Sequence, residues 1–396
     1  MAKRKFTLPG IQDLSKEQED ARALPKKGQH LIIGGPGTGK SVLALLRSRR
    51  HHDNNDDYIF LVYNRLLHQA SRHLFGPRLI SKTWNSWFTD MFFKKTGQSV
   101  PLLPAPSGNN WQDINWDQIF HIIGSLDATG PSTDLTFLII DEGQDMPPEF
   151  YQALVSLGFE NFYVVADQNQ QIISGKNSSR QDIENALAIS TNDVVELTYN
   201  YRNSYPTARL AREFYTGNPA TPPPDLPPIQ RTAKKPTLIE YGAGCNKSFD
   251  SIIIDILKMA DRNPNKLLGI IAPNNNVRQR YVQSLSSTEV KLDNGMPRIQ
   301  TYESVAYAQL AFDEGGIMVI NAQSCKGLEF EIVFLADIDQ HYCNSTPTVK
   351  DQKKRLFYVM VARAREKVIM LKNADNVHCP IDAILPNNPD IIETRR

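Results

Sequence analysis

The sequence predicts an α/β protein built on parallel sheets, and three observations carry that prediction. Short apolar runs of strand type recur as HLIIGG, YIFLVY, LTFLIIDE, FYVVAD, PTLIEY, LLGIIAP, GIMVIN and EIVFLAD. Helical patterns such as SVLALLRSRR, FDSIIIDILKMAD and VRQRYVQSL lie between them, the alternation expected of parallel sheets covered by helices. A glycine-rich string, GGPGTGKS, joins one of these strands directly to one of these helices.

The chain has 396 residues, and domains of roughly 100 to 200 residues suggest two units. The hydrophobic fraction of 41% and charged fraction of 22% are ordinary for a folded globular protein. Forty-four Lys and Arg against 43 Asp and Glu leave a net charge of +1, so no overall field draws in nucleic acid or a membrane surface. Any nucleic-acid contact has to be a local groove. Cys245, Cys325, Cys343 and Cys379 form no C-x-x-C pair, which suggests reduced thiols rather than a disulfide framework or a zinc ribbon. No apolar run approaches the ~18 residues of a membrane helix, and the basic start MAKRKF is not followed by the apolar core of a signal peptide. A cytoplasmic location is expected, with no membrane partner. The proline run GNPATPPPDLPP at 217–228 forbids a helix there, and PLLPAPSGNNWQDINW at 101–116 has the loose composition of an insertion. His51, His52 and Asp53 end a helical pattern and are expected to form a solvated cap. The pairs His341 with Cys343 and His378 with Cys379 lack zinc spacing, and the sequons at Asn177, Asn246 and Asn344 are not expected to be modified in the cytoplasm.

The glycine-rich string follows the strand run HLII and opens a helical pattern, the setting that a phosphate cradle requires. Its glycines, Gly34, Gly35, Gly37 and Gly39, together with Pro36 and Thr38, let backbone N–H groups converge on phosphate oxygens. Lys40 can reach the β and γ phosphates, and the Ser41 hydroxyl can hold Mg²⁺. A metal shell of this kind needs a carboxylate at the end of a nearby strand, and Asp141 stands directly after LTFLII. Glu142 beside it suits a general base for the water that attacks ATP. Taken alone, DEGQD is equally well a solvated acidic turn. Phosphoryl transfer also needs positive charge on the γ phosphate; Arg202 in LTYNYRNS and Arg363 in YVMVARAREK are candidates, although a lone arginine is usually a surface ion pair.

Taken in order, these strings resemble the superfamily 1 DNA helicases of the UvrD, Rep and PcrA type, and the resemblance spans nearly the whole chain. LSKEQ, ending at Gln18, resembles the adenine-reading glutamine motif, and GGPGTGKS and DEGQD resemble the two Walker motifs. ADQNQQII places Gln170 at the γ-phosphate-sensing glutamine. NYRN implies that Tyr201 stacks on adenine and that Arg202 touches the γ phosphate; KGLEFEIVFLAD implies that Glu329 meets the ribose; YVMVARAREK makes Arg363 a second arginine finger. The resemblance implies two RecA-like P-loop domains, 1–196 and 197–396, with ATP and Mg²⁺ in the cleft between them. It also implies a short insertion near 89–133 and single-stranded or partly duplex DNA as partner. Between Asn203 and Asn321 there is no room for the large accessory insertion of full-size relatives.

Departures from the family pattern fall where its members touch DNA. Ile173 and Gly175 replace an aromatic pair that supports the bases, and stacking is worth ~1 to 3 kcal/mol per base. Val62 replaces a phenylalanine, with Tyr63 and Asn64 following; Asn85 replaces a histidine after Thr83 and Trp84; Gln323 replaces another histidine; Val42 replaces an arginine that packs on adenine. Tyr63, Asn64, Thr83, Trp84 and Gln323 are the candidate DNA contacts, and Trp84, Trp87 or Phe88 could take over the stacking. Two functions follow as expectations. One is an ATP-dependent DNA helicase or single-strand translocase. The other is a nucleotide-gated ATPase subunit that regulates a partner nuclease or effector, as compact helicase-like ATPases of antiphage defence do.

Overall fold

The computed structural model describes residues 3–4, 8–105, 112–126, 133–167, 177–216, 222–302, 309–344, 346–376 and 379–396. It is an α/β protein with two all-parallel sheets flanked by helices, of six and seven strands, the arrangement of two RecA-like domains. Two compact units result. One comprises Leu8–Gly34 and Lys40–Leu197; the other comprises Thr198–Arg396 and takes in Gly35–Gly39 and Arg4.

In the first unit the order is α1 (Lys16–Ala23), β1 (Gln29–Gly34), α2 (Lys40–Asp53), β2 (Tyr58–Val62), α3 (Arg65–Phe75), β3 (Ser81–Thr83) and α4 (Trp84–Thr96). Then come α5 (Trp116–Gly124), β4 (Asp134–Ile140), α6 (Pro148–Ser156), β5 (Phe159–Ala166), α7 (Arg180–Ala186) and β6 (Val195–Leu197). The sheet runs β3-β2-β4-β5-β1-β6. Side chains of a strand alternate between faces, and this sheet is buried on both. Leu31 and Ile33 of β1, Leu138 and Ile140 of β4, and Phe162 and Val164 of β5 join one core. Ile32, Ile139, Tyr163 and Val165 join the other. That double burial is why the strands read as unbroken apolar runs.

In the second unit the order is α8 (Tyr205–Glu213), β7 (Thr237–Tyr241), α9 (Phe249–Asp261), β8 (Leu267–Ala272), α10 (Asn275–Ser287), β9 (Ile299–Thr301) and β10 (Gly316–Asn321). It closes with β11 (Phe330–Leu335), α11 (Pro347–Val361), β12 (Ala364–Asn373) and β13 (Glu393–Arg395). Its sheet runs β13-β7-β12-β11-β8-β10-β9. Ile252, Ile256 and Leu257 of α9 pack on Leu268, Ile270, Ile332 and Ile369 of the sheet.

All eight apolar runs are strands. Five more strands escaped the pattern. Four of them (β3, β6, β9 and β13) have only three residues each, too few for a periodic signal, and are defined by pairing with a longer neighbour. Within the loose stretch at 101–116, Leu102 and Ile114 form an antiparallel bridge and the Asn115 N–H donates to the Pro101 carbonyl at 2.9 Å, so its described ends are tied together. Residues 222–228 hold no helix, as the prolines require, and the rest of the proline run lies outside the described residues.

Two expectations are corrected here. His51 is not a solvated cap: it is 1% exposed, its Nδ1–H donates to Asp56 Oδ2 across 2.9 Å, and its ring stacks on Phe137 with centroids 4.1 Å apart. Burial lowers its pKa to about 4, so it is neutral in the fold. Phe88 is not available to stack on a base, because it is fully buried between Phe92, Trp116 and Phe150. Among the described residues no helix is long and apolar enough to cross a membrane.

Candidate active site

β1 ends at Gly34 and α2 begins at Lys40, and the loop between them turns through Gly37 and Gly39 at φ of 81° and 95°. These are left-handed conformations in which a Cβ is strained, so glycine is the residue that makes the turn. The Thr38 hydroxyl donates to the Gly35 carbonyl at 2.9 Å and draws the loop in on itself beside Pro36. The first turn of α2 then leaves backbone N–H groups without helical partners, the usual anchor for a phosphate.

Six side chains of the first unit converge at the carboxyl ends of β1, β4 and β5, where parallel sheets place their ligands. The Ser41 hydroxyl donates to Asp141 Oδ1 at 3.1 Å, and the Glu142 N–H donates to the same oxygen at 3.0 Å. The other oxygen, Asp141 Oδ2, is buried and has no hydrogen-bond partner among the described residues. The Lys40 ammonium donates to Asp167 Oδ2 at 3.3 Å, a pair with 8% and 0% side-chain exposure. Gln144 links the two halves: its amide nitrogen donates to Glu142 Oε2 at 2.7 Å, and its oxygen accepts from the Asp167 N–H at 2.8 Å. Glu142 itself has φ 54°, a left-handed conformation costing of order 1 to 3 kcal/mol in a non-glycine residue. Such strain persists only where the surroundings hold it, and it aims the carboxylate along this chain of contacts.

Asp167 and Gln144 were not singled out from sequence. Both sit inside strings that were, DEGQD and FYVVAD; the missed signal is their place at strand ends beside the phosphate loop. Gln18 is buried, and its side-chain oxygen accepts from the Ser15 N–H at 3.0 Å in a capping box that starts α1. Gln170, Ile173 and Gly175 lie outside the described residues.

The candidate DNA contacts of this unit are largely committed to folding. The Asn64 side chain caps α3 by accepting from the Leu67 N–H at 2.8 Å. Thr83 occupies the N-cap position of α4 without a side-chain cap bond. Trp84 packs edge-on against Phe150 at 5.2 Å, and Trp87 against Phe159 at 5.7 Å. Tyr63, 37% exposed, is the most accessible aromatic of the set.

In the second unit Tyr201 is 49% exposed and lies against Tyr199 at 4.6 Å between centroids. Arg202 Nε donates to Glu329 Oε2 at 3.1 Å, Arg365 reaches Glu329 Oε1 at 3.3 Å, and Arg4 lies 3.9 Å from it. Burial favours the neutral Glu329, but Arg202, Arg365 and Arg4 together hold its pKa below the usual carboxylate range. Arg363 is 1% exposed; its Nε donates to the Val359 carbonyl at 3.0 Å and Nη1 to the Leu328 carbonyl at 3.4 Å. It therefore ties the KGLEF segment to α11. Gln323 is exposed in the turn after β10.

Ser41 and Asp141 fit a Mg²⁺ ion, which takes one or two carboxylates and keeps the rest of its shell for water and phosphate. The unpartnered Asp141 Oδ2 is the observation that favours it. Burial first, and then the neighbouring Glu142 carboxylate, push Asp141 up to about 7. Above that pH the folded state buries a charge that the unfolded chain solvates, and stability returns as the pH falls from about 7 toward the ordinary carboxylate range. Asp141→Asn is accordingly expected to melt above the wild type at pH 8 without divalent ion, with a smaller gap at pH 6. Millimolar Mg²⁺ should raise the melting temperature of the wild type and leave the variant's in place. Equal responses to Mg²⁺ would remove Asp141 from the metal site.

A two-sheet α/β protein with a glycine-rich loop after one strand and paired carboxylates after another has the architecture of two RecA-like domains. Residues 316–371 match the family model of the UvrD-like helicase C-terminal domain, so this stretch of the second unit resembles that of a UvrD-like helicase. That match runs from β10 to β12 and contains Gln323, Glu329 and Arg363. Among solved structures, the chain is similar to the C-terminal domain of a possible DNA helicase from Lactobacillus plantarum WCFS1 at 14% identity, over 49% of this chain and 98% of that one, with a TM-score of 0.34. A search of curated proteins finds no match.

Proposed function

We propose that this chain is a nucleic-acid-stimulated ATPase of helicase type that hydrolyses ATP at the Gly34–Ser41 loop and moves along single-stranded DNA. The observation that carries the reading is the set of half-buried Ser41 with buried Lys40, Glu142 and Asp141 and its unpartnered oxygen at the carboxyl ends of one parallel sheet. In it Ser41 and Asp141 hold Mg²⁺, which when bound offsets phosphate charge. Lys40 exchanges Asp167 for the β and γ phosphates. Glu142, oriented by Gln144, takes the proton of the attacking water. Arg202, Arg363, Tyr201, Glu329 and Gln18 are the further nucleotide contacts of the proposal.

The second reading, a nucleotide-gated subunit controlling a partner nuclease or effector, is favoured by the structural use of Asn64, Trp84 and Phe88, which leaves little aromatic surface for bases in the first unit. ATP turnover measured with and without an oligothymidine strand separates the two. Stimulation of several-fold is expected for the motor. No binding and no stimulation would sink it and leave the gated subunit.

A further inference from the structure

The second unit contains a cleft of about 1240 Å³. One wall is α9; the others include the segment around Lys234, the amino-terminal half of β12, the β13 strand and the Tyr199–Ser204 segment, so one end of the cleft reaches Tyr201 and Arg202 of the proposed nucleotide contacts. Ten Lys and Arg side chains line it against three Asp and Glu, although the whole chain carries a net charge of only +1.

The three acids are already engaged by cations of the same cleft. Asp255 pairs with Lys247, Glu366 with Lys266, and Glu240 lies 3.7 Å from Arg396. Four cations remain: among the described residues, no side-chain hydrogen bond or ion pair holds Lys234, Lys258, Arg262 or Lys367. Lys367 is half-buried, and its pKa is lowered by burial and then by Lys234 and Arg395, with Glu393 acting the other way. Cations gathered with so few counter-charges repel one another, and an anion entering the cleft relieves that repulsion.

We infer that this cleft grips single-stranded DNA through its phosphates, with Lys258 and Arg262 on one wall and Lys234 and Lys367 on the other. The inference rests on the nucleic-acid reading above and adds a place for the strand that none of the family-type DNA positions supplies. Two features favour a strand over a compact phosphate. The free cations come from separate elements, α9 on one side and β12 with the preceding segment on the other, so the charge is spread along the cleft. The volume also exceeds the roughly 300 to 1,000 Å³ of small-molecule pockets. Phosphate contacts carry no base preference, which suits a chain whose candidate stacking positions are spent on packing.

The test is binding of a labelled oligothymidine to the full chain across a salt series. Three proteins are compared: wild type, K234E/K258E/R262E/K367E, and a K16E/K94E/K291E/K350E control carrying the same change in net charge. Each single-strand phosphate contact contributes about 0.7 to the slope of log affinity against log salt, so the cleft variant should lose a slope of about 3 and bind at least tenfold more weakly than the control. Melting curves confirm that each variant folds; if the quadruple variant does not, K258E/R262E and K234E/K367E are measured separately, each expected to lose about half the slope. If the wild type binds DNA and the folded cleft variants bind with an unchanged slope, the cleft assignment falls while the proposed function stands. If the wild type binds no DNA at low salt, both fall. Displacement of bound DNA by polyglutamate at charge-equivalent amounts, with the DNA slope unchanged in the cleft variants, would instead make the cleft an acidic-peptide site and overturn the inference.

Discussion

Glu142→Gln is expected to lower the turnover number for ATP by about 10² to 10⁴, the usual contribution of a positioned general base, while the KM for ATP changes by only a few-fold. The substitution keeps the volume of the side chain and an oxygen that can still accept from the Gln144 amide now at 2.7 Å, so the strained turn at φ 54° keeps its tether. What it removes is the capacity to take a proton. Glu142 is 4% exposed and does not hold the cation in this proposal; the adjacent Asp141 does. Nucleotide binding should therefore survive, and the variant should trap ATP with its Mg²⁺. Single-turnover measurements would show the loss in the chemical step. A turnover within tenfold of the wild type would assign the base to another group and reduce Glu142 to a structural role at the end of β4.

That Lys40, Ser41 and Asp141 would gather at neighbouring strand ends was legible in the sequence, because the chemistry proposed for them dictates residue type and spacing together: a loop must follow a strand and a carboxylate must end another. Gln144 and Asp167 were not, because their role depends on β4 and β5 lying side by side, which no local pattern encodes. Gln18 and Asn64 illustrate a different ambiguity. The amide oxygen that could read a base is also a good helix cap, and in the structure both side chains cap helices. Sequence cannot separate the two uses because both ask for the same side-chain acceptor near a helix start, Asn64 at the N-cap of α3 and Gln18 in the first turn of α1. His51 went wrong for a related reason: a cation at a helix end is usually solvated, but Phe137 of the neighbouring strand covers this ring. The strand β12 was hidden for want of a boundary, since its ten residues begin in AREK, where charge masks the VIML run that follows. The eight apolar runs held because both faces of each sheet are covered, and double burial leaves a strong signal in the sequence.

Lys40→Ala should abolish measurable ATP turnover and also destabilise the fold, and the two effects can be separated. In the structure the Lys40 ammonium neutralises Asp167, whose side chain is 0% exposed. Removing the cation takes a counter-charge from a buried carboxylate, which costs about 3 to 5 kcal/mol in comparable buried pairs. The second substitution, Asp167→Asn, removes the charge that needed compensation and keeps the shape. Lys40→Ala/Asp167→Asn is therefore expected to recover most of the lost melting temperature. Turnover should not recover, because in the proposed function it is the ammonium's contact with the β and γ phosphates that is missing. Asp167→Asn alone leaves Lys40 in place and should bind ATP at least as tightly as the wild type, since the ammonium no longer has to leave a carboxylate to reach phosphate. The outcome that would defeat this account is recovery of turnover in the double variant. It would mean that the Lys40 pair is a strut of the fold alone, and that phosphate is held by the backbone of the Gly34–Ser41 loop without it.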